Sequence, residues 1–179
     1  MIVCVGASAS GKTELAKILY KNFGYKKCVT TTTRDLRPKE VDGIDYHFLS
    51  KSDFLTLVDK DAFFEVTMYN QQLYGIQKKD VFNHGMIIVD PSGANKLIDQ
   101  LKSDVFVVFV TASESIRRKR MHQRGDDLAV IEKRITQDKD IFTKEQLRRI
   151  DLHIVNEDKS IDELAEIVDQ QYKKHLKSI

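Results

Sequence analysis

The sequence predicts an α/β fold, a parallel sheet flanked by helices, and three observations carry that prediction. Short, continuously apolar runs alternate with longer amphipathic stretches, the order that a parallel sheet with crossover helices requires. The first run, Met1 to Val5, passes directly into a glycine-bearing turn and then into a helical pattern. Between the first helix and the next strong apolar run lies a different texture, residues 30–76, where Tyr46, Phe48, Phe63, Phe64, Tyr69 and Tyr74 stand among turn residues. That segment reads as a β-rich insertion.

Taken in order, Met1 to Val5, Met86 to Val89, Val105 to Val110 and Leu152 to Val155 are expected as buried strands, because each is short and, His153 apart, apolar. Helices are expected at 11–23, 93–102, 113–123, 128–149 and 160–175. In the first of them Leu15, Ala16, Ile18, Leu19 and Phe23 recur at helical spacing, and Gly24 follows as a stop. At 179 residues and 41% hydrophobic the chain can bury a real core and is expected to form one domain. A net charge of +2 gives no global bias toward nucleic acid. Cys4 and Cys28, in apolar settings without C-x-x-C spacing, are expected as small core residues. No run approaches the roughly 20 apolar residues of a membrane span, and the apolar strand at the start leaves no room for a charged leader. A cytoplasmic protein without membrane or nucleic-acid partners is therefore expected, as a monomer or homodimer.

The turn after the first strand reads Gly6-Ala7-Ser8-Ala9-Ser10-Gly11-Lys12-Thr13 and fits G-x-x-x-x-G-K-[ST], a phosphate-binding P-loop. Gly6 and Gly11 allow the backbone to bend until several N–H groups face one phosphate, and the following helix adds its positive N-terminal end. Lys12 is expected to reach the β- and γ-phosphates. Thr13 offers a hydroxyl to Mg²⁺, a hard cation that prefers oxygen ligands and substrate phosphates. Gly6 through Thr13 are thus the expected ATP-binding stretch. The bland reading is a glycine turn capping an ordinary helix.

The insertion carries a second constellation, Thr32-Thr33-Arg34-Asp35-Leu36-Arg37-Pro38-Lys39-Glu40-Val41-Asp42-Gly43-Ile44-Asp45-Tyr46-His47-Phe48. This string resembles the nucleoside-monophosphate-binding signature of guanylate kinases, T-T-R-x-x-R-x-x-E-x-x-G-x-D-Y-x-F, and matches every fixed position. With the P-loop, Phe64-Glu65, Tyr74-Gly75, Asp90-x-x-Gly93 and Arg124-Gly125, the resemblance covers nearly the whole chain. It implies a P-loop NTPase-type sheet with a β-rich acceptor-binding insertion and a helical lid. The core would be 1–29, 77–123 and 135–179, the acceptor region 30–76 and the lid 124–134.

The resemblance also implies roles, each with a physical rationale. Arg34 and Arg37 present guanidinium forks to the phosphate of GMP, with Tyr46 and Tyr74 adding phenolic donors. Glu65 accepts from the N1–H and exocyclic amine of guanine, and Thr30 lies near O6. Asp90 supports the Mg²⁺ shell and the acceptor. Arg124 and Arg134 are the lid arginines that close on the ATP phosphates, while Arg120 and Asn156 lie by the adenine. The expected catalytic set is Lys12, Arg34, Asp90, Arg124 and Arg134. Alternatives remain at the level of residues: a solvated basic loop for Arg34 and Arg37, core packing for Tyr46, a helix cap for Asp90, a turn former for Asn156. Arg117, Arg118 and Lys119 read as a solvated helical face.

Two positions depart from the family pattern. Ala7 and Ala9 replace Pro and Gly in the usual loop, and Ile76 follows Tyr74-Gly75 where a Ser or Thr usually helps to read guanine. The resemblance implies ATP + GMP ⇌ ADP + GDP, with dGMP as a plausible second acceptor. A changed base preference and an inactive binding module are the alternatives.

Overall fold

A computed structural model describes residues 1–37, 40–69 and 71–178, without the side chain of Tyr69. Pro38 and Lys39 of the signature lie outside the described residues, as does the ring of Tyr69 in the insertion. The chain forms two compact units, one of Lys26–Ile87 with Met1, the other of Ile2–Tyr25 together with the chain from Ile88 onward.

The second unit is built on strands β1 (Ile2–Val5), β8 (Phe106–Thr111) and β9 (Leu152–Val155). All pair in parallel, Ile2 opposite Phe106 and Val108 opposite Leu152. Every residue of β1 is buried, which explains why the run carries no alternation. Just past strand β7 (Gly85–Ile88), Val89 N–H donates to the Cys4 carbonyl at 3.1 Å. Helix α1 (Lys12–Phe23) buries Leu15, Ala16 and Leu19 and ends at Gly24, which takes the left-handed conformation of a C-cap. It packs against α6 (Ile161–Leu176), which opens with a Ser160/Glu163 capping box. There Tyr25 donates its hydroxyl to Asp169 at 2.9 Å, and Asp169 also receives Lys173 at 2.8 Å, so the buried carboxylate is paired.

Helix α3 (Pro91–Leu101) begins two residues earlier than its periodicity suggests, because Asp90 caps it and Pro91 occupies the first turn, where its missing N–H costs nothing. Helices α4 (Glu114–Gln123) and α5 (Leu128–Ile141) flank and include the stretch 124–134 expected as the lid. The expected helix 128–149 stops at Ile141, and the sequence beyond it forms a short 3₁₀ turn, Lys144–Gln146. Tertiary contacts override helix propensity there: Asn95 donates to the Gln146 carbonyl at 2.8 Å and accepts from Arg148 N–H at 2.9 Å.

The first unit holds the short parallel pair β2 (Lys26–Lys27) with β7, and a mixed sheet in the order β4-β3-β6-β5. Its strands are β3 (Thr31–Thr32), β4 (His47–Phe48), β5 (Phe63–Tyr69) and β6 (Gln72–Gln77). The insertion is therefore β-rich as expected, but it also contains helix α2 (Lys51–Asp59), whose Phe54 stacks on Phe63 at 4.6 Å. Gly75 is glycine for space, since a Cβ there would lie 2.6 Å from the Phe63 ring. Cys4 and Cys28 are buried free thiols.

Candidate active site

The phosphate loop is fixed from behind by its own surroundings. A Cβ on Gly6 would sit 2.1 Å from the Val110 carbonyl, and one on Gly11 would sit 1.9 Å from Asn156 Nδ2. Gly11 also adopts φ 103, a conformation that L-residues rarely reach. Asn156, buried at the end of β9, donates to the Ser10 carbonyl at 2.9 Å. Arg120 donates to the Asn156 carbonyl at 3.0 Å and to the Ala9 carbonyl at 3.3 Å. Within the loop Ser10 N–H donates to the Ala7 carbonyl at 3.2 Å. Arg120 and Asn156 therefore tie the loop down as well as lining the cavity beside it.

That cavity holds about 580 Å³ and is bounded by Ala9, Gly11, Lys12, Thr13, Arg120, Arg124 and Asn156 among others. Lys12 turns its ammonium onto the carbonyls of Gly6 at 2.5 Å and Ala7 at 2.8 Å. Burial pulls its pKa down to about 8, although the thiol of Cys4 and the carboxylate of Asp138 oppose the shift. Ala9 takes φ 59, so the loop visits the left-handed region with an alanine in place of the usual glycine. Its methyl rests against the cluster Met121, Ile131 and Ile135 between α4 and α5.

The two arginines expected in the lid share one carboxylate. Arg124 donates to Asp126 at 2.7 Å, and Arg134 lies 3.5 Å from the same oxygen. Gly125, at φ 79, makes the turn that brings Asp126 between them, and Asp127 caps α5 through Ala129 N–H. Arg118, expected as solvated, bridges α4 and α5 by pairing with Glu114 and with both oxygens of Glu132. Asp90 accepts from Gly93 N–H at 2.8 Å, which is the cap among its two readings.

The residues expected to hold the acceptor, Asp90 apart, lie in the first unit. Arg34 gives one nitrogen to both oxygens of Glu40, at 2.8 and 2.9 Å, and lies over the rings of Tyr46 and Phe48 at 5.5 and 5.4 Å. The Arg34 bond holds the Glu40 carboxyl below its ordinary pKa. Glu40 also accepts from the backbone N–H of Arg37, whose side chain is exposed. The Tyr46 and Tyr74 rings stand 6.3 Å apart, edge to face. Glu65 is opposite Ile76 and Thr67 is opposite Tyr74 in the β5–β6 register, so these four share one sheet face. Thr32 pairs with Tyr74, and two residues before it on the chain the Thr30 carbonyl accepts from His47 N–H at 2.9 Å. Ile76 is buried.

A family model described as guanylate kinase matches residues 1–171. The guanylate kinase of Hyphomonas neptunium is 31% identical over 170 residues, covering 90% of this chain and 77% of that protein. That of Maricaulis maris is 33% identical over 181 residues, covering 95% and 82%. This chain belongs to the guanylate kinase family. A crystal structure of guanylate kinase from Anaplasma phagocytophilum shares the fold, with TM-score 0.67 at 22% identity, over 97% of this chain and 85% of that one.

Within that guanylate kinase fold, four residues gain importance that the sequence reading did not give them. Glu40 orients Arg34 and the Arg37 backbone; its fixed place in the signature was the available signal. Asp126 gathers the lid arginines, and only the neighbouring Arg124-Gly125 turn hinted at it. Asp138 carried no sequence signal, and Arg117, expected in a solvated helical face, instead has its side chain only 12% exposed beside Asp138; both depend on tertiary placement rather than on spacing.

Proposed function

We propose that the chain transfers the γ-phosphoryl of ATP to GMP, giving ADP and GDP. The observation that carries this reading is the phosphate loop with its backbone pinned by Asn156 and Arg120 beside a cavity lined by Lys12, Thr13 and Arg124. In-line phosphoryl transfer asks for positioned positive charge rather than covalent catalysis. Lys12 leaves the carbonyls of Gly6 and Ala7 to meet the β- and γ-phosphates. Arg124 and Arg134 leave Asp126 to stabilise the transferring group.

Arg34, Arg37, Tyr46 and Tyr74 hold the acceptor phosphate, while Glu65 and Thr30 read the base, and dGMP is a second acceptor. Asp90 supports the metal shell and the acceptor, with Arg120 and Asn156 at the adenine side. Among the described residues no group of three or more His, Cys, Asp or Glu could hold a metal by itself. The exposed hydroxyl of Thr13 at the cavity fits a Mg²⁺ ion that arrives with the nucleotide and takes most of its ligands from phosphate and water. When bound, that ion would neutralise phosphate charge. We assign residues 1–29, 77–123 and 135–179 to the core, 30–76 to acceptor binding and 124–134 to the lid. Small nucleotides are the partners, and the setting is cytoplasmic, which suits two free thiols. Among the described residues no helix is long and apolar enough to cross a membrane.

A coupled assay of ADP release with GMP, dGMP, AMP, UMP and dTMP tests the reading. GMP should give the highest kcat/KM. A higher value with AMP or a pyrimidine nucleotide would move the assignment to another base, and no turnover with any of them would leave a binding module.

A further inference from the structure

A carboxylate already occupies part of the anion-binding loop. Asp138, one turn beyond Arg134 on α5, accepts from the backbone N–H of Ser8 at 2.7 Å and is only 7% exposed. A short bond from a loop N–H to a buried carboxylate is what an anion-binding loop offers to phosphate. The guanidinium of Arg117, on α4, stands on the other side of the same oxygen at 3.5 Å, beyond the 2.7–2.9 Å of a charge-assisted hydrogen bond. Among the described residues, Nε and Nη2 of Arg117 are buried and have no hydrogen-bond partner. A buried guanidinium in that condition is poised for an anion that comes closer. The carboxylate thus sits between two claims and satisfies the loop.

We infer that Asp138 is a resident anion of the donor site, which the phosphates of the incoming nucleotide displace from Ser8 onto Arg117. This rests on the reading of Gly6–Thr13 as the donor loop and adds a residue that sets its affinity. In the free protein the carboxylate satisfies a loop N–H that would otherwise face nothing. On binding, two negative groups cannot share the loop, and the move to Arg117 replaces one charge-assisted bond with another. Displacement keeps donor affinity below what the bare loop would give.

Calorimetric titration of ADP, in EDTA so that no metal takes part, reads this directly. Asp138→Asn keeps an oxygen for the Ser8 N–H but removes the charge, and ADP should bind about tenfold more tightly with GMP affinity unchanged. Because that variant also leaves Arg117 with a net positive charge, the pair Arg117→Leu/Asp138→Ala, which keeps net charge constant, is the stricter arm. It should still tighten ADP several-fold. ADP binding that is unchanged or weaker in the pair variant overturns the inference, since a merely structural tie would loosen the loop when cut. If Asp138→Asn folds poorly, the pair variant decides alone. Lys12→Ala separates the two levels of the argument: if it leaves ADP binding intact, the donor-loop reading fails; if it abolishes binding while the pair variant changes nothing, only the displacement fails.

Discussion

The phosphate loop and the acceptor signature both prepare for anions, yet they are made of different material. The loop binds through backbone, so its shape is set by what lies behind it: the Val110 carbonyl against Gly6, Asn156 against Gly11, and Arg120 on its carbonyls. The acceptor signature is expected to bind through side chains on two-residue strands and connecting loops, and Arg34 among them is held by Glu40, Tyr46 and Phe48. A backbone site tolerates almost no change at its glycines. A side-chain site can be altered one contact at a time, which is where base and acceptor preference can diverge. Three of the arginines expected at phosphates sit on internal carboxylates, Arg34 on Glu40 and Arg124 and Arg134 on Asp126. On the proposed reading phosphate would replace a protein carboxylate at these three, and the electrostatic gain on binding would be a difference between two paired states.

The largest expected effect separates charge from shape within the loop. Lys12→Ala should lower turnover by on the order of a thousandfold, or about 4 kcal/mol of transition-state stabilisation, with the melting temperature nearly unchanged. Fold stability should survive because the ammonium is a desolvated charge whose hydrogen bonds go to the loop's own carbonyls. More than a tenth of normal turnover in a folded variant breaks the loop assignment. Gly11→Ala should do the opposite and lose about 3 kcal/mol of stability in urea titration, combining a strained φ with a collision against Asn156. A variant as stable as the parent would mean that the loop is not pinned from behind.

On the acceptor side the matching test changes shape and keeps charge. Arg34→Lys retains a cation but loses the planar guanidinium that lies over Tyr46 and Phe48 and that can offer a fork to phosphate. GMP should weaken by about 2 kcal/mol, roughly thirtyfold, while ATP affinity stays constant. Titrating each nucleotide separately decides it, and equal losses for both would remove Arg34 from the acceptor phosphate.

These contrasts also explain what was legible beforehand. The loop, α1 and the buried strands are local patterns, and local patterns can be read without knowing the fold. Helix α2 escaped because only Phe54 along it is buried, leaving almost no apolar stripe, although Ser50 and Asp53 mark its start by capping. Helix α5 was extended too far because the residues after Ile141 are good helix formers, and what stops them is Asn95, far away in sequence. The signature exposed Arg34, Arg37 and Tyr46 as a set, with Glu65 and Tyr74 carried by separate short motifs, but not the pairing of Arg34 with Glu40. Asp138 on Ser8 and Asp126 between two arginines are products of tertiary placement, which composition and spacing do not encode.

A smaller effect tests the loop's charge by pH. With burial holding Lys12 near a pKa of about 8 instead of 10.5, its charge is present below pH 8 and is lost as pH rises through that value. In the free enzyme kcat/KM for ATP should therefore fall roughly threefold to tenfold between pH 7.5 and 9, and Lys12→Ala should lack that limb. For stability the sign reverses. The folded pKa is lowered, so the unfolded chain binds more protons between about 8 and 10.5 and the lysine's desolvation cost fades as pH rises across that window. A kcat/KM profile that is flat through pH 9 would place the ammonium in contact with solvent.

The smallest expected change is at Ala9, where opposing terms nearly cancel. Its φ of 59 costs an L-residue about 1–2 kcal/mol, which Ala9→Gly would recover. Against this, glycine adds about 0.5–1 kcal/mol of backbone entropy to be lost on folding. The variant also gives up a methyl that packs on Met121, Ile131 and Ile135, worth about 0.8 kcal/mol at full burial and less for this half-buried residue. Stability in urea should therefore stay within about 0.5 kcal/mol of the parent. A gain above 1 kcal/mol would mean the left-handed strain is uncompensated. A comparable loss would make the methyl contact the main reason for alanine, tying the loop to the α4–α5 cluster by packing as well as by the Asp138 bond to Ser8.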